Sequence, residues 1–226
     1  MQNGDFIEIE YTGRVKDTGE VFDITSAEEA KKLGVYNEKA KYGTAFVIIG
    51  NGMVVPGVEK QLLGMKTGDE KTFDIGPADG FGERNPDFIK IVSLSSFLEK
   101  KISPYPGLFV DINGIACKVQ SVSGGRVRVD FNHPLAGKNL EYTVKILREI
   151  TDKKYGIEKL LGSYRLEADA GVAEKVAKIK INGKKSETVE KFVSETVKKW
   201  VKGIETVEVE FAEKKNRAEG AGNSPA

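Results

Sequence analysis

The chain has 226 residues, of which 39% are hydrophobic and 31% are charged, and its 35 basic and 34 acidic side chains leave a formal net charge of +1. This near balance argues against a dedicated nucleic-acid-binding or membrane-surface protein, and the single cysteine, Cys117, excludes an intrachain disulfide. The opening residues lack an apolar signal core and the apolar runs are too short to span a bilayer, so we expect a soluble, cytoplasmic protein with no nucleic-acid or membrane partner.

The first 50 residues predict three strands and a short helix. Residues 6–11 alternate between apolar and polar side chains, which is the period of a strand. Residues 21–24 and 44–50 indicate two further strands. Between them, residues 26–34 predict a short helix with Ser26 as its N-cap.

A second short helix is predicted after residue 52. Pro56 suits the first turn of a helix and Gly64 suits its end. An alternating strand follows within residues 66–76, and the glycine- and proline-rich residues 77–86 predict a loop. The inner face of the helix would consist of Val58, Leu62 and Leu63.

Residues 85–132 have a pattern of their own. Three alternating segments are joined by the dipeptides Asn113-Gly114 and Gly124-Gly125, which is a strong signal for β-hairpins. A compact apolar cluster precedes them: Phe88, Ile89, Ile91, Val92, Leu94, Phe97 and Leu98. Residues 140–150 then predict another strand, with apolar positions at Leu140, Tyr142, Val144 and Ile146.

The pattern changes again from about residue 155. Residues 176–183 and 205–212 predict strands, and residues 186–203 predict an amphipathic helix. One face of that helix would carry Ser186, Val189, Phe192, Val193, Val197, Trp200 and Val201. Residues 216–226 are small and polar, and we expect them to be disordered.

His133 is the only histidine, and three interpretations of it remain open. It could fix the loop before Pro134 by hydrogen bonds to the backbone, it could contact a substrate, or it could serve a metal or a general base. The first is favoured, because no second histidine and no cysteine pair offers further metal ligands. We predict no metal site and no cofactor.

Five sequence blocks carry a resemblance to a known family. They are IEIEYTG (7–13), TGEVFD (18–23), FVIIGNGMVVPGVEKQLLGMKTGDEKTF (46–73), GFGER (80–84) and NHPLAGKNLEYTVKI (132–146). In order and spacing they resemble the FKBP-type peptidyl-prolyl cis-trans isomerases. The interruption before residue 132 further resembles the SlyD-like subgroup, whose flap carries an inserted chaperone domain. The region after about residue 155 is similar to the long archaeal branch of the family.

The resemblance implies an α+β fold in which an antiparallel sheet wraps around a short helix. The implied domains are a discontinuous isomerase domain (1–84 plus 133–152), a small, mainly β insert-in-flap chaperone domain (85–132), a small α+β C-terminal domain (155–215) and the tail (216–226). The family's pocket positions correspond here to Tyr11, Phe22, Asp23, Val54, Val55, Val58, Phe81 and Tyr142. Taken alone, each of these aromatic residues is more typical of a core than of a pocket.

The implied function is prolyl isomerisation together with chaperone activity. Val55 would offer its amide to a substrate carbonyl, and Val58 stands where macrolide-binding members often carry tryptophan. The expected partners are unfolded or proline-containing polypeptides, and the C-terminal domain would serve either as a homodimer interface or as a second surface for client chains. A non-catalytic holdase is the alternative. Residues expected to contact the polypeptide are Phe46, Phe88, Ile89, Ile91, Leu94, Phe97, Leu98 and His133.

Overall fold

A computed structural model of the protein describes residues 1–212 and shows an α+β fold with three separate β-sheets, which confirms the predicted class. The strands of this part of the chain are β1 (Phe6–Val15), β2 (Val21–Ile24), β3 (Ala45–Ile48), β4 (Glu70–Ile75), β5 (Ile89–Ser93), β6 (Phe109–Ile112), β7 (Ile115–Ser123), β8 (Arg126–Asp130), β9 (Leu140–Glu149), β10 (Ala168–Ala173), β11 (Val176–Asn182) and β12 (Thr206–Ala212). Its α-helices are α1 (Ala27–Lys32), α2 (Pro56–Leu62), α3 (Leu94–Glu99), α4 (Lys153–Ser163) and α5 (Glu187–Trp200).

The first sheet is antiparallel and has the order β2-β1-β9-β4. β3 pairs with the first half of β1, and β2 pairs with the second half. The four apolar positions predicted for β9 are all buried. Helix α2 covers this face of the sheet with Val58 and Leu62. Leu63 was also predicted to face inwards, but it is 44% exposed, because α2 ends at Leu62 and the chain turns away.

Both predicted helix starts in this part of the chain are confirmed. The side chain of Ser26 accepts a hydrogen bond from the amide of Glu29, 3.4 Å away, and therefore caps α1. Pro56 is the first residue of α2, where its missing amide hydrogen costs nothing.

The second sheet, called the insert sheet below, lies between β4 and β9 in the chain and has the order β5-β8-β7-β6. Its hairpin turns are confirmed, since Asn113, Gly114, Gly124 and Gly125 all have positive φ angles, between 54° and 82°. Its small core contains the residues Phe97, Cys117, Val119, Val127 and Val129.

The third sheet has the order β10-β11-β12 and is accompanied by α4 and α5. We call Lys153–Ala212 the C-terminal unit. Val193 and Val197 of the predicted helix face are buried. Phe192 was assigned to the same face, but it is 38% exposed and lies edge-on to Tyr164, 5.0 Å away between ring centroids.

The C-terminal unit packs against the outer side of β1 and β3. Phe6 and Ile48 belong to the same hydrophobic cluster as the buried residues of α4 and α5. Beside this cluster Glu8 forms an ion pair with Arg148 and accepts a hydrogen bond from the hydroxyl of Tyr155. Further along the contact, Lys202 pairs with Asp5.

The expected disordered tail lies outside the described residues. No helix within residues 1–212 has the length and apolarity needed to cross a membrane.

Candidate functional site

A pocket of about 420 Å³ opens between the start of α2, the first sheet and the loop that follows β4. The residues that line it are Tyr11, Asp23, Gly52, Met53, Val54, Val55, Val58, Phe81 and Tyr142. Seven of these positions were assigned to a pocket from the sequence. Gly52 and Met53 were not, because a loop between a strand and a helix shows no periodicity that would mark its pocket-facing side chains.

Phe22 supports the pocket from behind its lining. Its ring lies edge-on to Phe81, with centroids 6.0 Å apart, and edge-on to Tyr142, with centroids 5.7 Å apart. Tyr11 and Tyr142 are tilted toward one another at 6.0 Å. Edge-to-face contacts at such distances are the favoured arrangement of aromatic rings. The four aromatic residues therefore form one connected group.

Gly13 makes this aromatic packing sterically feasible. A Cβ atom at this position of β1 would lie 2.7 Å from Cζ of Phe22 and 3.1 Å from Cε1 of Tyr142. Real side chains do not approach so closely, so the two rings can meet over β1 only because residue 13 has no side chain. The sequence reasoning missed this role, since a glycine in a strand signals a close approach without naming the partner.

Asp23 holds one of the two pocket tyrosines. The Tyr11 hydroxyl donates a hydrogen bond to Oδ2 of Asp23 over 2.7 Å. Burial, followed by this bond to the Asp23 carboxylate, raises the pKa of Tyr11 well above its ordinary value. Burial and the nearby charge of Asp23 raise the pKa of Tyr142 to about 12. Both hydroxyls are therefore neutral donors at physiological pH.

Hydrogen-bond donors at the pocket that have no protein acceptor within residues 1–212 include the following two. One is the hydroxyl of Tyr142, a side chain that is 5% exposed. The other is the amide of Val55, the residue before α2. The carbonyl of Val55 is already used, because it accepts from the amides of Val58 and Glu59 at 2.9 and 3.1 Å. Both donors are available to a bound ligand.

Glu59 fixes the loop that leads into α2. Its Oε1 accepts hydrogen bonds from the amides of Gly50 and Gly52, at 2.8 and 3.1 Å. Gly52 lines the pocket, so this carboxylate anchors the pocket edge to the helix. The acidic residue at this position was not singled out from the sequence.

His133 lies at the pocket rim and is exposed. Its Nδ1 accepts a hydrogen bond from the amide of Leu135 at 3.2 Å, and its ring stacks on Phe81 with centroids 4.5 Å apart and planes 5° apart. Among residues 1–212, no group of three or more His, Cys, Asp or Glu side chains is placed to hold a metal ion. In this structure His133 fixes the rim loop and one wall of the pocket.

The two linkers that join the insert sheet to the pocket are tied to one another. Arg84 pairs with Asp130, and the side chain of Asn132 both donates to the carbonyl of Asn85 and accepts from its amide, at 2.9 and 2.8 Å. Burial opposes ionisation of Asp130, but hydrogen bonds from Asn132 and the charge of Arg84 outweigh it and lower its pKa below the ordinary value. Asp130 is therefore a carboxylate at neutral pH, opposite the guanidinium of Arg84.

The residues of the insert that were expected to contact a polypeptide fall into three groups. Phe88, Ile91 and Leu98 are exposed, Ile91 by 68%, while Ile89 and Leu94 are half-buried. Phe97 is only 3% exposed, which corrects its assignment as a contact residue, because it fills the core of the insert. Three exposed apolar residues were missed: Tyr105, Phe109 and Ile115.

Phe46 also lies elsewhere than expected. It does not line the pocket but packs against the cluster of the C-terminal unit, edge-on to Phe6 with centroids 5.6 Å apart. The reason is strand alternation, since Val47, its neighbour in β3, faces the first sheet's core and turns Phe46 to the opposite side.

Comparisons with known proteins identify the family. Residues 1–95 match the family described as FKBP-type peptidyl-prolyl cis-trans isomerase, and residues 90–135 match the family described as FKBP26, IF domain. The short-type peptidyl-prolyl cis-trans isomerase of Methanocaldococcus jannaschii is 34% identical over 65% of this chain and 92% of its own length. The chain belongs to the FKBP-type peptidyl-prolyl cis-trans isomerase family.

Bacterial relatives show the same family relationship. The FKBP-type 16 kDa isomerase of Escherichia coli is 34% identical over 55% of this chain and 81% of its own length. The FKBP-type isomerase SlyD of Treponema pallidum is 31% identical over 65% of this chain and 77% of its own length. The protein is thus an isomerase of the FKBP type, and it is similar to the SlyD protein of Treponema pallidum over 65% of this chain.

Proposed function

We propose that this isomerase accelerates rotation about X-Pro bonds of unfolded or partly folded polypeptides in the pocket between α2 and the first sheet. The bond to be rotated has partial double-bond character and an uncatalysed barrier of about 20 kcal/mol. No covalent bond has to break, so an enzyme needs only to bind the twisted amide better than the planar one. A rate gain of about 10⁴ corresponds to roughly 5.5 kcal/mol of such preference.

The observation that carries the proposal is the combination of an aromatic pocket with unused hydrogen-bond donors, among them the amide of Val55 and the hydroxyl of Tyr142. The planar amide is strongly dipolar and loses solvation in an apolar cavity, whereas the twisted amide has a less dipolar carbonyl and loses less. The amide of Val55 and the hydroxyl of Tyr142 can then donate to substrate carbonyls as the bond twists. Asp23 contributes by holding the ring of Tyr11 in place.

The test is an isomerisation assay on a short proline-containing peptide, with Tyr142→Phe as the main variant. The variant keeps the ring and removes only the unpaired hydroxyl. If that hydroxyl donates mainly to the twisted amide, kcat should fall by about 3- to 10-fold with KM nearly unchanged. Tyr164→Phe, on the exposed surface of the C-terminal unit, is the matched control. A wild-type protein that leaves the peptide's rotation rate unchanged would refute the proposed activity.

We further propose that the discontinuous isomerase domain (1–84 plus 133–152) works with the insert (85–132) as a chaperone. The support is the exposed apolar surface of the insert, which includes Phe88, Ile91 and Leu98. A polypeptide held there would present its prolines to the pocket at high effective concentration. The variant Ile91→Thr, which keeps a β-branched residue in β5, should slow proline-limited refolding of a protein while short-peptide isomerisation stays constant. Lys90→Thr on the same strand is the control.

The non-catalytic holdase predicts a different outcome. Such a protein would suppress aggregation of an unfolded chain without accelerating rotation of any proline bond, so the peptide assay separates the two functions.

A homodimer through the C-terminal domain (155–215) is a further proposal. It is supported by β12, which within residues 1–212 pairs with β11 alone and has its other edge open to a second copy. Sedimentation at rising concentration measures the mass. A cytoplasmic location agrees with this folding role.

A further inference from the structure

Met53 is in contact with two different cores. It lines the pocket, and it packs both against the core of the first sheet and against the hydrophobic cluster that contains α4 and α5. We propose that the C-terminal unit is a positioning element of the active site, which holds the pocket loop (residues 50–55) in place through Ile48 and Met53. This inference rests on the proposed location of the active site.

The path from the C-terminal unit to the pocket is short. Ile48, the last residue of β3, is fully buried in the cluster that contains Leu160 and Val197. The amide of Ile48 donates to the Sδ atom of Met53 over 3.4 Å. Met53 is therefore held by a residue that pairs with Phe6 of β1 and packs its side chain into the cluster of the C-terminal unit, and the Met53 side chain forms part of the pocket wall.

Close packing fixes the C-terminal unit on the first sheet. Gly156 in α4 lies so near Phe6 that a Cβ atom there would be 2.8 Å from Cδ2 of the ring. At the edge of the contact, Arg148 donates to both carboxylate oxygens of Glu8, at 2.9 and 3.1 Å, and the Tyr155 hydroxyl donates to Oε1 at 2.8 Å. Close-packed interfaces transmit small displacements instead of absorbing them.

Glu59 alone does not account for the position of Met53. Its carboxylate binds the backbone amides of Gly50 and Gly52, which fixes the first half of the pocket loop. The Met53 side chain, with its flexible unbranched stem, takes its position from what packs around it. The loop is thus clamped by α2 on one side and by the C-terminal unit, through Ile48, on the other.

The chain offers a matched pair of substitutions in one helix. Gly156→Ala places a methyl group against the Phe6 ring and pushes α4 away from β1. Gly162→Ala adds the same group to the same helix at a position where, apart from the adjacent residues and the backbone of the helix itself, no atom lies within 4 Å of the new Cβ. Alanine favours a helix over glycine at both sites, so only the contact with the first sheet distinguishes the two variants.

Two probes follow the displacement in the full-length protein. Trp200 is the single tryptophan and lines the cleft between Phe6 and α5, so its fluorescence reports docking of the C-terminal unit. The chain has three methionines, and methyl labelling gives one NMR signal for each. Met53 reports the pocket loop, while Met65, fully buried in the first sheet's core, reports the integrity of that core.

We expect Gly156→Ala to shift the Trp200 and Met53 signals, to leave Met65 unchanged, and to lower kcat/KM for a short proline peptide by about 3- to 10-fold. KM should rise, because a displaced pocket wall weakens substrate contacts, whereas partial unfolding would lower only kcat. Gly162→Ala should match the wild type in all four measurements.

The inference is overturned if Trp200 reports altered docking while the Met53 signal and kcat/KM keep their wild-type values. Should Gly156→Ala fail to fold, Tyr155→Phe gives a milder perturbation, and an unmoved Met53 signal beside a shifted Trp200 signal in that variant is equally decisive. If the wild-type protein shows no isomerase activity, the proposed function fails. The Met53 signal still tests the coupling in that case, so the two failures can be told apart.

Discussion

The substitution Gly13→Ala tests whether the aromatic group of the pocket depends on one missing side chain. Gly13 lies on β1 between Asp23 on β2 and Tyr142 on β9, so its backbone is held by strands on both sides. The added Cβ would sit 2.7 Å from Cζ of Phe22. Carbon atoms normally come no closer than about 3.5 Å, and the Phe22 ring must therefore move by roughly 0.8 Å or rotate away.

This displacement should lower the free energy of unfolding. Overpacking of a well-packed site typically costs about 1–3 kcal/mol. The loss of glycine's freedom in the unfolded chain returns about 0.4–1 kcal/mol, so the free energy of unfolding should fall by about 1–2 kcal/mol. The substitution should also lower the isomerase activity, because Phe22 supports both Phe81 and Tyr142. A shift of about 1 Å at a reacting site can cost up to 100-fold, and we expect at least a tenfold loss in kcat/KM.

A double-mutant cycle with Phe22→Ala tests whether the clash with the Phe22 ring causes the losses of stability and activity in Gly13→Ala. Without the Phe22 ring the clash disappears, so Gly13→Ala should cost much less in that background, a non-additive result. Urea unfolding and the peptide assay are measured on all four proteins. Gly171→Ala in β10, where the nearest atom to the new Cβ is 3.9 Å away, is the control. Additive effects, or a fully active Gly13→Ala, would contradict the reasoning.

Three further outcomes are expected. Phe97→Ala should destabilise the insert by about 3–5 kcal/mol, while the initial rate with short peptides stays near the wild-type value. The Cys117 thiol, 2% exposed and with a pKa raised by burial, should react slowly with thiol reagents in the native protein and quickly in that variant. The hydrogen bonds from Arg148 lower the pKa of Glu8 below its ordinary value, so the stability from this pair is present above pH ~4.3 and is lost as the pH falls through the native pKa. Urea midpoints should therefore drop more steeply in acid for the wild type than for Glu8→Gln.

Local sequence signals were sufficient where one residue type dictates the backbone. The positive φ angles of Asn113-Gly114 and Gly124-Gly125 fixed the hairpins of the insert, and Pro56 fixed the start of α2. Alternation likewise identified β1 and β9, because each has one face on the core of the first sheet. These elements follow from sterics and burial within a single sheet.

The sequence predicted less of the structure where the C-terminal unit packs against the first sheet. α4 was not predicted, since Gly156 and Gly162 weaken its helix propensity, and the reason for Gly156 lies in Phe6, about 150 residues away in the chain. Phe46 was assigned to the pocket for a related reason. β3 is buried on both sides, and alternation alone cannot say which side the C-terminal unit covers. Met53 remained unrecognised because it belongs to a loop.

The path of the chain links the insert directly to the pocket. Phe81 stands on the linker that enters the insert and His133 on the linker that leaves it, and their rings are stacked. The ion pair between Arg84 and Asp130 joins the same two linkers three residues closer to the insert. A polypeptide bound to the insert, as proposed above, would therefore be tethered through two short linkers to a wall of the pocket itself. In the proposed chaperone role, this contact between the two linkers would keep the insert near the pocket rim, which is the condition under which tethering raises the local concentration of prolines.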